Sequence, residues 1–116
     1  MGEEKRKKPR LNTVCPCILK GHSGEYHGLL RNISVGGVSM ELHDNLGEKD
    51  NYELEFILIE GPRIRVLSRI AWSMPQGSAQ IYGFEFLDLG LFKRIKLNSY
   101  IVKHLKKQQQ KRNVTA

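Results

Sequence analysis

Apolar residues recur at every second position along much of this 116-residue chain, and this alternation constrains the fold more than any other feature. In one segment, Val38, Met40 and Leu42 alternate with polar residues. Neighbouring side chains of a β-strand point to opposite faces, so the pattern predicts a strand with one buried face. Segments that read as strands are 14–19, 25–33, 38–42, 52–59, 64–74 and 79–87. Short turns rich in glycine, proline and asparagine separate them, which predicts a small antiparallel sandwich or barrel.

The periodicity becomes that of a helix after Asp88, where apolar residues recur at spacings of three, four and seven. The residues expected to form the buried face of this helix are Leu91, Ile95, Val102 and Leu105, with Phe92 and Ile101 widening it. From Gln108 onward no apolar face exists, so 108–116 is expected to be a disordered tail. The predicted organisation is a flexible basic arm over 1–10, a mainly β domain with one C-terminal helix over 11–107, and the tail.

Positive charge gathers at the two ends of the chain, and the formal net charge is +7. This distribution favours an anionic partner, although a basic terminus also serves as a solubilising tail. No apolar run approaches the roughly 20 residues that a membrane-spanning helix needs, so no membrane insertion is expected. No secretory signal follows Met1, and we therefore expect a cytoplasmic protein.

Two cysteines, Cys15 and Cys17, flank Pro16 and would point to the same face of a strand. A structural zinc site needs four ligands, and the nearby histidines do not complete a familiar spacing. We therefore expect free thiols and no metal. The sequence also contains no recognisable nucleophile–base set or carboxylate pair, so we do not expect an enzyme.

A basic arm and a short polar turn carry the candidate chemistry. Arg6 and Arg10 offer two guanidinium forks, which suit phosphates and the acceptor edge of guanine. Asn32 and Ser34 follow, and then the pair Gly36-Gly37, before the third predicted strand. Asparagine, serine and glycine also close ordinary hairpins, so the turn is informative mainly in combination with the arm.

The combination Arg-x-x-x-Arg followed by Asn-x-Ser-x-x-Gly resembles the signature of the PilZ family. The segment Gly83-Phe84-Glu85-Phe86 and the helix after it are also similar to that family. The resemblance implies a six-stranded antiparallel β-barrel of the split-barrel type and a bacterial, cytoplasmic receptor for cyclic di-GMP. It implies no other cofactor.

By this resemblance, Arg6 and Arg10 would clamp a guanine and the phosphates, and Asn32 and Ser34 would address the other guanine edges. Gly36 and Gly37 would let the backbone turn and approach the ligand. Position 32 is Asn, which lacks the charge of the Asp also found in the family pattern.

Lys5, just before Arg6, is associated in the family with binding an intercalated dimer of the ligand, so monomeric and dimeric ligand both stay open.

The mechanism implied is a disorder-to-order transition of the arm that relays the signal to a downstream protein of the motility or polysaccharide machinery. Two alternatives remain: a PilZ-like adaptor that binds only protein, and a basic nucleic-acid-binding barrel. The second would need exposed aromatic residues. The candidates Trp72, Tyr82, Phe84 and Phe86 are expected in the core, so no DNA is expected. The sequence leaves open a monomer or a dimer.

Overall fold

A computed structural model describes residues 9–22, 24–46 and 51–115, without the side chains of 110–115. It contains six strands and one helix. Their bounds are β1 Leu11–Gly21, β2 Gly24–Ser34, β3 Gly37–Leu42, β4 Asn51–Ile57, β5 Arg63–Gln76, β6 Ala79–Phe86 and α1 Leu91–Thr115. The six predicted strands are therefore confirmed, with β1 and β5 longer than their apolar runs suggested.

The strands close into an antiparallel barrel in the order β1-β2-β3-β6-β5-β4, with β4 pairing back onto β1. Each described strand thus has a neighbour on both sides. The alternation places one face of every strand inside, as in β4, where Tyr52, Leu54 and Phe56 are buried. The predicted mainly β barrel with a C-terminal helix is confirmed.

The helix closes the barrel with a different face from the one predicted. Leu97, Tyr100 and Ile101 are buried, and the Tyr100 hydroxyl donates to the Ile59 carbonyl at 2.7 Å. Burial is also what raises the pKa of this phenol. Of the predicted face, only Ile101 is buried and Leu105 half-buried. The helix carries apolar residues on two opposite sides, and periodicity alone does not reveal which one meets the barrel.

The helix also continues through Thr115, where the sequence indicated a disordered tail from Gln108. Glutamine and lysine are good helix formers, so the backbone can remain helical without an apolar face to bury. The Gln108 side chain donates to the Asn12 carbonyl at 3.2 Å, which ties this part of the helix to β1. Within the described residues, the helix lacks the sustained apolar stretch that a membrane crossing requires.

The two cysteines of β1 are free thiols, as expected, and both lie in the core. Burial raises the pKa of Cys15, and it raises the pKa of Cys17 to about 12. Both thiols are therefore protonated and poor nucleophiles at neutral pH.

Candidate functional site

Five of the seven residues predicted to bind a ligand line one open cleft of about 300 Å³ on the barrel surface. They are Arg10, Asn32, Ser34, Gly36 and Gly37. The other two, Lys5 and Arg6, lie outside the described residues, as does most of the predicted arm. Arg10 is exposed and directly precedes β1, so it lines the cleft from the surface rather than from the core.

The polar turn between β2 and β3 forms one wall of this cleft. The Ser34 hydroxyl accepts a hydrogen bond from the Gly36 amide at 3.2 Å, so the turn is fixed before any ligand arrives. A hydroxyl that accepts in this way can still donate its own hydrogen. Asn32 is half-buried and lies opposite Asn12 on one side and Ser39 on the other. Its amide group is thus held by a strand with a paired neighbour on each side.

Gly37 is required by the barrel itself. It pairs with Glu85 on β6, and a Cβ at this position would come within 3.0 Å of the Phe84 carbonyl oxygen. The glycines with positive φ among the described residues are Gly24, Gly77 and Gly90, so Gly37 does not serve through a left-handed conformation. The close approach of β3 to β6 under the cleft is therefore the reason for glycine here.

Three irregularities in strand pairing surround the cleft. The register shifts between Asn12 and Cys15 in β1, between Leu30 and Asn32 in β2, and between Ile70 and Trp72 in β5. Bulges of this kind re-aim side chains, and they are frequent next to binding sites. Here the irregularities in β2 and β5 are followed directly by Asn32 and Trp72, both of which line the cleft.

Trp72 is the cleft residue that the sequence interpretation assigned wrongly to the core. Strict alternation along β5 places it inside with Ile64, Val66 and Ser68, which are buried. The register shift before it turns the indole outward instead, where 48% of the residue is exposed. It covers Gly83 of β6: a Cβ on that glycine would come within 3.0 Å of three indole atoms. The cleft therefore has an aromatic side chain, which the sequence pattern had placed in the core.

The other aromatic residues behave as predicted. Tyr82 and Phe84 are buried, and Phe86 is half-buried against the core. Tyr82 and Phe84 stand 6.2 Å apart between ring centroids, and Phe84 makes an edge-to-face contact with Tyr52. Trp72 is therefore the single exposed ring of the four, which is too few for a surface that stacks successive bases along a strand.

A second depression lies elsewhere on the barrel, lined mainly by Pro16, Ile18, Phe56 and Ile57. Its charged members are Glu55 and Arg63, which hydrogen-bond to each other. The Arg63 guanidinium beside Glu55 lowers the pKa of that carboxyl, so the pair is ionised at neutral pH. Both charges are already matched, whereas Arg10 in the polar cleft makes no hydrogen bond or ion pair within residues 9–22, 24–46 and 51–115. The polar cleft is therefore the candidate functional site.

The polar cleft brings together groups that suit ligand binding. The described residues contain no cluster of three potential metal ligands. What converges here is a guanidinium, an amide, hydroxyls and an indole, a set that can grip an anion with hydrogen-bonding edges and a flat face.

The family model described as the PilZ domain matches residues 4–103. The search of curated proteins returns no significant match.

Solved structures share the fold at low sequence identity. YcgR from Escherichia coli in complex with c-di-GMP has a TM-score of 0.85 at 16% identity, over 97% of this chain and 51% of that one. The Bacillus subtilis inhibitor of motility, MotI/DgrA, has a TM-score of 0.77 at 19% identity, over 89% and 52%. This chain thus spans about half the length of both. The separate PilZ domain of YcgR with c-di-GMP has a TM-score of 0.74 at 15% identity, over 94% and 98%.

Proposed function

The chain belongs to the PilZ domain family, and from this premise we propose that it is a receptor for cyclic di-GMP. The observation that carries the proposal is the meeting of Arg10, Asn32 and Trp72 at one cleft. Cyclic di-GMP presents two phosphates and two guanines, and these three side chains address its charge, its base edges and its flat faces. The complexes of YcgR with this ligand support the same reading.

Each group in the cleft has a distinct task in this proposal. The Arg10 fork donates two parallel hydrogen bonds, either to guanine O6 and N7 or to phosphate oxygens. The Asn32 amide both donates and accepts, so it can meet the N1–H and amino donors of guanine with its carbonyl oxygen. Ser34, whose oxygen accepts from the Gly36 amide, donates its hydroxyl hydrogen to a ligand oxygen. The Trp72 indole stacks on a base, an interaction worth about 1–3 kcal/mol per base.

Calorimetric titration with cyclic di-GMP tests the receptor assignment. Hydrogen bonds to charged groups contribute about 1.5–3 kcal/mol, so Arg10→Ala should weaken binding by about 10- to 150-fold. Arg63→Ala is the matched control, because Arg63 is an exposed arginine that does not line the cleft and pairs with Glu55 instead. The assignment fails if the wild-type protein does not bind, or if Arg10→Ala binds as tightly as Arg63→Ala.

We also propose that the ligand fixes the N-terminal segment across the cleft. Arg6 lies four residues before Arg10, so a ligand held by Arg10 is within reach of both guanidinium groups. Bound ligand should then slow trypsin cleavage after Lys5, Arg6 and Lys7. Mass spectrometry of the fragments measures this cleavage. Cleavage after Lys107 on the helix is the internal control. Equal protection at the two ends, or none at the N-terminal sites, would contradict this mechanism.

The calorimetric stoichiometry addresses the part played by Lys5. One cyclic di-GMP per chain corresponds to a monomeric ligand, and two correspond to an intercalated dimer. In this proposal the protein acts in the bacterial cytoplasm and relays the bound state to another protein, with motility or polysaccharide machinery as the expected class. Binding rather than catalysis is its role.

A further inference from the structure

The face of α1 that points away from the barrel carries an apolar surface. We call it the outer stripe, and it consists of Leu91, Phe92, Ile95 and Val102. The exposed fractions of these residues are 70%, 81%, 53% and 36%. Leu91, Ile95 and Val102 follow one another at spacings of four and seven, with Ser99 in the same line. Lys106 ends the line at the next helical turn.

The outer stripe is not needed to attach α1 to the barrel. Leu97, Tyr100 and Ile101 already anchor the helix from its opposite side, and the Lys93 ammonium adds a hydrogen bond to the Arg65 carbonyl at 2.8 Å. Single exposed apolar residues are normal on protein surfaces, but several on one line usually mark an interaction site.

The charges around the outer stripe have one sign. The helix contains eight lysines and arginines and no aspartate or glutamate; they are Lys93, Arg94, Lys96, Lys103, Lys106, Lys107, Lys111 and Arg112. Lys93 and Arg94 fall in its first turn, where the helix dipole favours negative charge and cations are unfavourable. Lys93 is committed to the Arg65 carbonyl of the barrel. Arg94 does not serve helix stability at this position, and Lys96 borders the outer stripe, which points to a role in recognition.

We propose that the outer stripe docks an acidic amphipathic helix of a partner protein. Lys96, Lys103 and Lys107 recur at spacings of seven and four and border the stripe on one side, so they can pair with carboxylates that flank an apolar row. Ser99 in the middle is small, which permits close approach of a second helix between Ile95 and Val102. The stripe covers about three helical turns, so the interface is small and the complex transient.

Other occupants fit the outer stripe less well. A second copy of this chain would bring its own lysines against these, with no acidic residue on either helix to compensate. A lipid surface would leave the Asn98 amide and the Ser99 hydroxyl facing acyl chains, where their hydrogen bonds have no partner. An acidic amphipathic helix avoids both problems, because its carboxylates pair with the lysines and its apolar row covers the outer stripe.

The test uses a synthetic acidic helix as the probe, a peptide with leucines every three or four residues and glutamates on both sides of that row. A second peptide has the same composition in scrambled order, so its charge is equal but its leucines form no row. Fluorescence anisotropy should show at least tenfold tighter binding of the patterned peptide, weakened by salt. Ile95→Ser should reduce this binding at least tenfold, and Lys103→Glu with Lys107→Glu should reduce it further.

The control variant is Ile57→Ser, because Ile57 is as exposed as Ile95 but lies on the barrel. Its binding should equal that of the wild-type protein. Equal affinity for the two peptides, no binding, or an unchanged affinity in Ile95→Ser would overturn the proposal. Binding to phosphatidylglycerol vesicles that exceeds binding to the peptide, or dimerisation abolished by Ile95→Ser in sedimentation, would overturn it in favour of those occupants. All measurements omit cyclic di-GMP, so their outcome is independent of whether the receptor assignment holds.

Discussion

Replacing Gly83 by alanine probes the contact that holds Trp72 over the cleft. The added Cβ would come within 3.0 Å of the indole Nε1, Cε2 and Cδ1 atoms, whereas ordinary van der Waals contact begins near 3.4 Å. The β6 backbone is paired on both sides and gives way less easily than a half-exposed side chain. We therefore expect the indole, rather than the strand, to move.

The size of the effect follows from the burial of Trp72. A fully buried large aromatic side chain removes about 150–250 Å² from water, and about half of this residue is exposed, so roughly 100 Å² are at stake. At about 25 cal/mol per Å² the limit is about 2.5 kcal/mol, and overpacking typically lowers stability by about 1–3 kcal/mol. Gly83→Ala should therefore lower the free energy of unfolding by about 1–2.5 kcal/mol.

A double-mutant cycle isolates this contact. In a Trp72→Ala background the obstruction is gone, and alanine is favoured over glycine within a strand by about 0.5–1 kcal/mol. Gly83→Ala should then be neutral or stabilising, which gives a coupling energy of about 1–3.5 kcal/mol between the two positions. Urea denaturation followed by circular dichroism measures all four proteins, including those that lack the chain's single tryptophan.

Gly28→Ala serves as the matched control for this cycle. Its Cβ would collide with the Glu41 carbonyl and the Leu42 side chain, neither of which involves Trp72. Its effect should therefore be the same in both backgrounds. If Gly83→Ala is equally destabilising with and without Trp72, or leaves the emission spectrum of Trp72 unchanged, the indole does not occupy the space above Gly83 and the reasoning is refuted.

Three further predictions concern the cleft and the core. Trp72→Ala should weaken cyclic di-GMP binding by about 1–3 kcal/mol in calorimetry, and an unchanged affinity would exclude stacking. Gly37→Ala should lower the free energy of unfolding by about 1–3 kcal/mol, because its Cβ meets the Phe84 carbonyl; a wild-type urea midpoint would contradict this. The pKa of Cys17 is raised from its usual 9.0 to about 12, so its contribution to stability is complete below pH 9 and is lost between pH 9 and 12. Over that window the free energy of unfolding of the wild-type protein should fall by about 1.4 kcal/mol per pH unit more than that of Cys17→Ala. Parallel plots of unfolding free energy against pH for the two proteins would disprove the raised pKa.

The sequence predicted the barrel well because alternation is a property of each strand taken alone. The alternation of Tyr52, Leu54 and Phe56 predicts a buried face whichever strands lie beside β4. The residues of the cleft were predicted from a different signal, the basic arm combined with the polar turn and their resemblance to the PilZ signature. Asn32 and Gly37 lie on either side of one turn, and Arg10 directly precedes the strand that pairs with β2, so the fold brings these positions together.

The wrong predictions concern residues whose burial depends on how two elements pack together rather than on the pattern of one segment. Periodicity identified α1 but not which of its two apolar sides would meet the barrel, and Ile95 proved to face outward while Leu97 faced inward. The register shift between Ile70 and Trp72 leaves Trp72 exposed where strict alternation would bury it, and no glycine or proline stands at the shift to signal it. Both outcomes depend on tertiary packing that a local pattern does not contain.

The hydrogen bond from Gln108 to the Asn12 carbonyl has a thermodynamic consequence. Asn12 lies opposite Asn32 in the β1–β2 ladder and two residues after Arg10, so α1 is hydrogen-bonded to a residue adjacent to two that line the cleft. If this contact couples the two sites, the coupling is symmetric, because linkage requires each ligand to change the affinity of the other by the same factor. Under the receptor and docking proposals made above, a partner helix on α1 would then tune the concentration of second messenger to which the protein responds. The set point of the proposed receptor would depend on the abundance of that partner as well as on its own side chains.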